Sequence, residues 1–147
     1  MVLLGKYKVA IGIITTLAAM HLYVKLLEID ERIDKVNVLR IVERNIKIKI
    51  PIEIDEMTVL TNFEFLDGRN LYFVYEYMVG ITKLDIENDM GMEAWDHNAK
   101  MKLENEVCND KYYKSLLSMN VSIVFNYVGY DKINISKFYL NESVCKL

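Results

Sequence analysis

The side chains able to do chemistry in this sequence are few and badly spaced for catalysis. Asp96 and His97 adjoin each other, a pairing that elsewhere supplies a general base and its orienting carboxylate. Helical neighbours point about 100° apart, so the two do not face each other. His97 also falls on an apolar stripe, where a partly buried, hydrogen-bonded histidine is the simpler reading. Ser115 and Ser118 have no histidine in the same element and no Gly-x-Ser-x-Gly elbow around them. Phosphate loops, metalloprotease motifs and EF-hands are missing from the chain. Two histidines and two distant cysteines are too few for a zinc ribbon or finger. Neither a catalytic set, nor a metal site, nor a cofactor site is therefore expected. Carboxylates close in sequence, such as Asp55 and Glu56, leave an acidic-residue hydrolase as a third-ranked alternative.

Cys108 and Cys145 are the only cysteines. Paired, they would close a loop of about 37 residues and contribute roughly 3–4 kcal/mol. Such a bond persists in an oxidising compartment. Two unrelated buried thiols are the alternative. Neither cysteine lies in a Cys-x-x-Cys motif, which argues against redox catalysis. Asn120, Asn134 and Asn141 each begin an Asn-x-Ser sequon, as expected by chance in an Asn-rich chain.

What positions these groups starts with an uneven charge distribution. Residues 1–27 carry three lysines and no acid, whereas residues 28–147 carry 15 basic and 21 acidic residues, a net charge of −6. Residues 9–24 are uncharged and mostly aliphatic. As a helix they would span about 24 Å. Leu26, Leu27 and a snorkelling Lys25 extend that toward the roughly 30 Å of a hydrocarbon core. The favoured reading is a single-pass anchor over residues 9–27. Residues 1–8 then lie in the cytoplasm, because Lys6 and Lys8 obey the positive-inside rule. Residues 28–147 form a domain on the periplasmic side of a bacterial inner membrane. A cleaved signal peptide and a buried core helix are the competing readings.

Length and composition suit one globular domain: 147 residues, 52% apolar and 27% charged. A net charge of −3 excludes a global basic surface for nucleic acid. Apolar steps of three and four predict an amphipathic helix over 26–45 that continues the anchor. The alternation of Ile46, Ile48, Ile50, Ile52 and Ile54 predicts extended chain, and Pro51 makes it an edge strand or an ordered connection. Residues 58–66 and 71–81 flank the turn signal Asp67-Gly68-Arg69-Asn70 and predict a hairpin. Residues 85–108 read as one helix, with Ile86, Met90, Ala94, His97, Met101 and Glu104 on one stripe and Met92, Trp95, Ala99, Leu103 and Val107 on the next. A short helix at 111–117 and a second hairpin, 121–128 with 133–140, complete an α+β fold. Its antiparallel sheet has about four strands in two hairpins packed against helices.

Pro51, Ile54-Asp55-Glu56, Thr58, Leu60, Leu71-Tyr72-Phe73-Val74-Tyr75, Cys108, Leu116-Leu117-Ser118-Met119-Asn120-Val121, Phe125-Asn126-Tyr127 and Cys145 form a spaced pattern over about residues 45–145. In that pattern the chain resembles a loose group of small, uncharacterised bacterial proteins with an N-terminal anchor or signal and a periplasmic α+β domain. The resemblance implies export and a disulfide. It brings no catalytic residues with it.

Residues 53–110 hold 14 acidic and 4 basic residues, a net of −10, which would attract a cationic partner. Tyrosine contributes contact area at low entropy cost. An exposed sheet face with Tyr72 or Tyr77, beside the acidic cluster Asp85, Glu87 and Asp89, is the candidate partner surface. The function expected is that of a membrane-tethered periplasmic binding protein, an inhibitor, immunity or exclusion factor. A small structural subunit of an envelope secretion or pilus assembly is the second reading. A protein partner is expected in both.

Overall fold

The computed structural model describes residues 32–145. The expected anchor, residues 9–27, and the first part of the helix expected over 26–45 lie outside the described residues. Among the described residues no helix is long and apolar enough to cross a membrane.

In chain order the elements are α1 (Arg32–Lys47), β1 (Ile52–Asp55), β2 (Thr58–Asp67), β3 (Leu71–Val79), α2 (Lys83–Asp89), α3 (Met92–Asn109), α4 (Lys111–Ser118), β4 (Val121–Gly129) and β5 (Asn134–Leu140), then a 3-10 turn (Glu142–Cys145). The fold is α+β, with four described helices and one five-stranded sheet ordered β1-β2-β3-β4-β5. It differs from the expected all-antiparallel sheet of about four strands. The two hairpins β2–β3 and β4–β5 are present, but β3 and β4 run parallel. The cause is the connection between them. Three helices carry the chain from the end of β3 back to the level where β3 began, and parallel neighbours require such a crossover. The fifth strand is β1, paired with the start of β2 through Ile52 and Leu60.

Two further boundaries depart from the sequence reading. Ile46 and Lys47 belong to α1, so the extended run begins only at Ile52, just past Pro51. The side chain of Ile46 explains this, since its burial (3% exposed) beside Val42 and Leu39 rewards one more helical turn. The helix expected over 85–108 is broken at Met90-Gly91. Gly91 takes φ = +82°, a left-handed conformation open to glycine, and becomes the N-cap of α3. Upstream, Thr82 and Asp85 form a reciprocal capping box that starts α2.

The strands bury alternate residues on one face. Leu60, Phe63 and Phe65 of β2 lie beside Tyr77, Tyr75 and Phe73 of β3, which continue to Tyr127, Phe125 and Ile123 of β4. All four helices close over this face. Leu39, Val42 and Ile46 come from α1, Ile86 from α2, Trp95, Ala99, Leu103 and Val107 from α3, and Leu116 and Leu117 from α4. Phe63, Phe73, Ile123 and Val107 are fully buried. Of the two stripes read on α3, only the second is buried. His97 and Met101 are exposed, so His97 is not the partly buried histidine expected. The helix presents one narrow stripe because the sheet covers a single side of it. Cys108, at the end of α3, is bonded to Cys145 with a Cα–Cα distance of 5.2 Å, tying the 3-10 turn to the helix layer.

Candidate protein-binding surface

The residues expected to form one contact surface are divided by strand parity. Tyr72 and Tyr77 are five apart on β3, so they point to opposite faces. Tyr77 lies under the helices, its ring 5.5 Å from Tyr127 and 6.3 Å from Tyr75, both stacked. Tyr72 is half-buried on the other face, where no described helix packs. Asp85, Glu87 and Asp89 are exposed on α2, which follows the far end of β3 from Tyr72. Asp85 is engaged in holding its own helix: its Oδ2 accepts from Thr82 N at 2.8 Å and from Thr82 Oγ1 at 2.7 Å. Those two hydrogen bonds keep the carboxyl below its ordinary pKa.

The helix-covered face gathers tyrosines rather than acids. Tyr112 and Tyr113 enter it from the first turn of α4, whose two amides are capped by Asp110 Oδ1 at 2.8 and 3.1 Å. Tyr75 Oη and Tyr112 Oη share a hydrogen bond of 3.2 Å. Burial drives the phenols of Tyr75, Tyr112, Tyr113 and Tyr127 above their ordinary pKa. These are neutral core groups, with Tyr75 stacked on Phe125 and Tyr113 edge-on to it, and none is set up as a base. Asp96 accepts a hydrogen bond from Ser136 Oγ, which ties α3 to β5. Asp96 thus holds a strand and does not orient His97.

The uncovered face carries a polar row between two apolar ones. Thr61 Oγ1 donates to Glu76 Oε1 at 3.2 Å, Asn126 Nδ2 to Glu76 Oε2 at 3.3 Å, and Asn134 Nδ2 to Asn126 Oδ1 at 2.7 Å. On one side of the row stand Val74, Val124 and Tyr139, with Glu64 beside Val74 on β2, and then Leu66 and Tyr72 beside Ser122. On the other stand Val59, Met78 and Val128. Leu66 is 43% and Tyr139 62% exposed, so apolar side chains on this side reach solvent on both β2 and β5. Among the described residues no group of three or more His, Cys, Asp or Glu is placed to hold a metal ion.

Sequence reasoning missed a device at the sheet edge. Beyond the short β1, the outer edge of β2 meets α1. The Phe65 amide donates to Glu43 Oε1 at 3.0 Å, and Arg40 Nη1 donates to the Phe65 carbonyl at 2.8 Å. Two side chains thus take the hydrogen bonds that a neighbouring strand would make. Arg40 and Glu43 are ion-paired at 3.1 Å, Lys47 joins at 2.9 Å, and the Arg40 guanidinium lies 4.7 Å from the Phe65 ring centroid. Burial pulls the Glu43 carboxyl upward. The Phe65 amide, Lys47 and Arg40 together outweigh it and leave the pKa below its ordinary value. In sequence, Arg40 and Glu43 read as a surface i, i+3 pair; only the sheet edge gives them a purpose.

No family model and no curated protein matches the chain. Solved structures do share its fold. One is a protein from Pseudomonas aeruginosa described as secreted, with a TM-score of 0.60 and 15% identity, covering 74% of this chain and 90% of that one. Another is the pilotin EpsS of the Vibrio vulnificus type 2 secretion system, with a TM-score of 0.52, 11% identity and coverage of 70% and 84%. A third is the type II secretion system pilotin AspS of Vibrio cholerae, with a TM-score of 0.51, 12% identity and the same coverage. At these identities the likeness is one of fold.

Proposed function

We propose that this chain is an exported, non-enzymatic protein-binding component of a bacterial envelope assembly of the secretion type, held at the inner membrane through residues 9–27. The observation that carries the reading is the fold shared over 70% of the chain with two type 2 secretion pilotins. The likeness to a protein described as secreted and the Cys108–Cys145 bond support an oxidising location. They agree with the resemblance to membrane-anchored periplasmic α+β proteins. The order of the two binding readings drawn from the sequence is thereby reversed, with the structural subunit ahead of the inhibitor, immunity or exclusion factor. The acidic residues support binding over hydrolysis, since Asp85, Asp96 and Asp110 each brace backbone or strand. The test is crosslinked co-purification of the full-length chain from its native membrane, read by mass spectrometry. The expected result is a secretion-assembly component in stoichiometric amount. Recovery of an incoming toxin or phage factor in its place would overturn the reading.

A further inference from the structure

The sheet has two outer edges, and they are treated differently. At the first, β1 has only four residues, follows Pro51 and carries a register shift between Glu53 and Asp55. Where β1 stops, Glu43 and Arg40 occupy the Phe65 amide and carbonyl, and Asn62 Oδ1 takes the Phe63 amide at 3.0 Å. These are the devices that stop a sheet from growing: a short strand, a proline, a bulge, and covering charges.

The second edge, β5, has of these only one lysine and one bulge. It is seven residues long, contains no proline, and its one irregularity lies at Ile135 near its start. The 3-10 turn that follows folds back onto α3 through Cys145 and does not run along the strand. No described group hydrogen-bonds to the outward amides and carbonyls of β5. Its exposed side chains on the uncovered face are Asn134, bonded to Asn126, then Lys137 and Tyr139, with the Lys137 ammonium 5.5 Å from the Tyr139 ring centroid. Lys137 is the only charged residue in the strand.

We infer that β5 is a docking edge for an extended segment of a partner protein, added as a sixth strand, with a carboxylate opposite Lys137 and an apolar residue opposite Tyr139. Main-chain hydrogen bonds would supply the affinity and these two side chains the choice of segment. A second copy of this chain fits less well. Antiparallel pairing centred on Lys137 sets lysine against lysine. It also turns the two domains end for end. Lys35 of α1 donates to the Met119 carbonyl, just before β4 starts, so α1 begins at that end of the sheet. The starts of the two α1 helices would then lie at opposite ends of the pair, which does not suit two chains held in one membrane.

The inference deepens the binding reading above, and its test separates the two. The experiment is amide hydrogen exchange on the full-length chain in mild detergent, alone and with a nine-residue peptide of alternating threonine and valine bearing a central glutamate. Alone, every second amide of β5 should exchange fast at all protein concentrations. With the peptide those amides should slow by about tenfold or more, and Lys137→Glu should abolish the effect and transfer it to the peptide with a central lysine. A peptide with alternate N-methyl groups should do nothing. Protection of β5 in the chain alone, protection that grows with protein concentration, or equal response to both charges would overturn the inference. None of these results would alter the outcome of the co-purification.

Discussion

Replacing Glu43 tests how the sheet edge is held. The carboxylate is buried, 7% exposed, yet serves three partners: the Phe65 amide, Arg40 and Lys47. In Glu43→Ala the Phe65 amide loses its acceptor at a buried edge, which costs about 1–3 kcal/mol. The two ion pairs involve half-exposed bases and add only about 0.3–0.5 kcal/mol each. The expected loss is therefore roughly 2–4 kcal/mol. Glu43→Gln keeps an acceptor for the amide and loses only the charge, so about 1 kcal/mol is expected. The pH dependence follows from the lowered pKa. A carboxyl whose folded value lies below its unfolded value, 4.5, contributes stability that is complete above that pH and lost as pH falls through the folded value. Wild type should thus lose its advantage over Glu43→Gln below about pH 4.5. Urea unfolding followed by Trp95 fluorescence is the assay, since the single tryptophan is 4% exposed and reports on the core. Both variants matching wild type at pH 7, or a Glu43→Gln difference that does not begin to shrink as pH falls below 4.5, would refute the reasoning.

Cutting the Cys108–Cys145 bond, by reduction or by the double change Cys108→Ser and Cys145→Ser, should cost about 3–4 kcal/mol for its 37-residue separation, measured in the same unfolding assay. Gly91→Ala should cost about 1–3 kcal/mol from backbone strain alone, because a Cβ there meets nothing within 4 Å while φ is +82° and ψ 148°, a region nearly confined to glycine. Thr82→Ala should lower stability by about 1 kcal/mol through loss of the α2 capping box. The buried phenols have folded pKa values raised by burial above the ordinary 10.0, so their neutral forms support the fold up to about pH 10 and that support is lost as pH rises further. Tyr113→Phe should weaken the alkaline loss seen in a pH titration of stability.

Much of the architecture was legible because it rests on local patterns. The β2–β3 hairpin announces itself in Asp67-Gly68-Arg69-Asn70 between alternating apolar residues, and β4–β5 in Gly129-Tyr130-Asp131-Lys132. The parallel contact of β3 with β4 has no such local sign, since it depends on where three helices deliver the chain. The break at Gly91 was available: a glycine inside a helical pattern near Thr82 and Asp85, whose spacing is that of a capping box. The division of Tyr72 from Tyr77 was available too, because an odd separation on a strand means opposite faces. The Arg40–Glu43 clamp was out of reach, because a surface ion pair and an edge cap have the same sequence spacing. The exposure of His97 turned on which of two adjacent stripes met the sheet, a choice that tertiary packing makes.

The proposed function requires residues 32–145 to be folded outside the cytoplasm. A reporter enzyme active only in the oxidising compartment, fused after Leu147 in living cells, measures this directly. Activity, together with Cys108 and Cys145 resisting alkylation until reduced, is the result the account predicts. An inactive reporter with both thiols freely alkylated would contradict it.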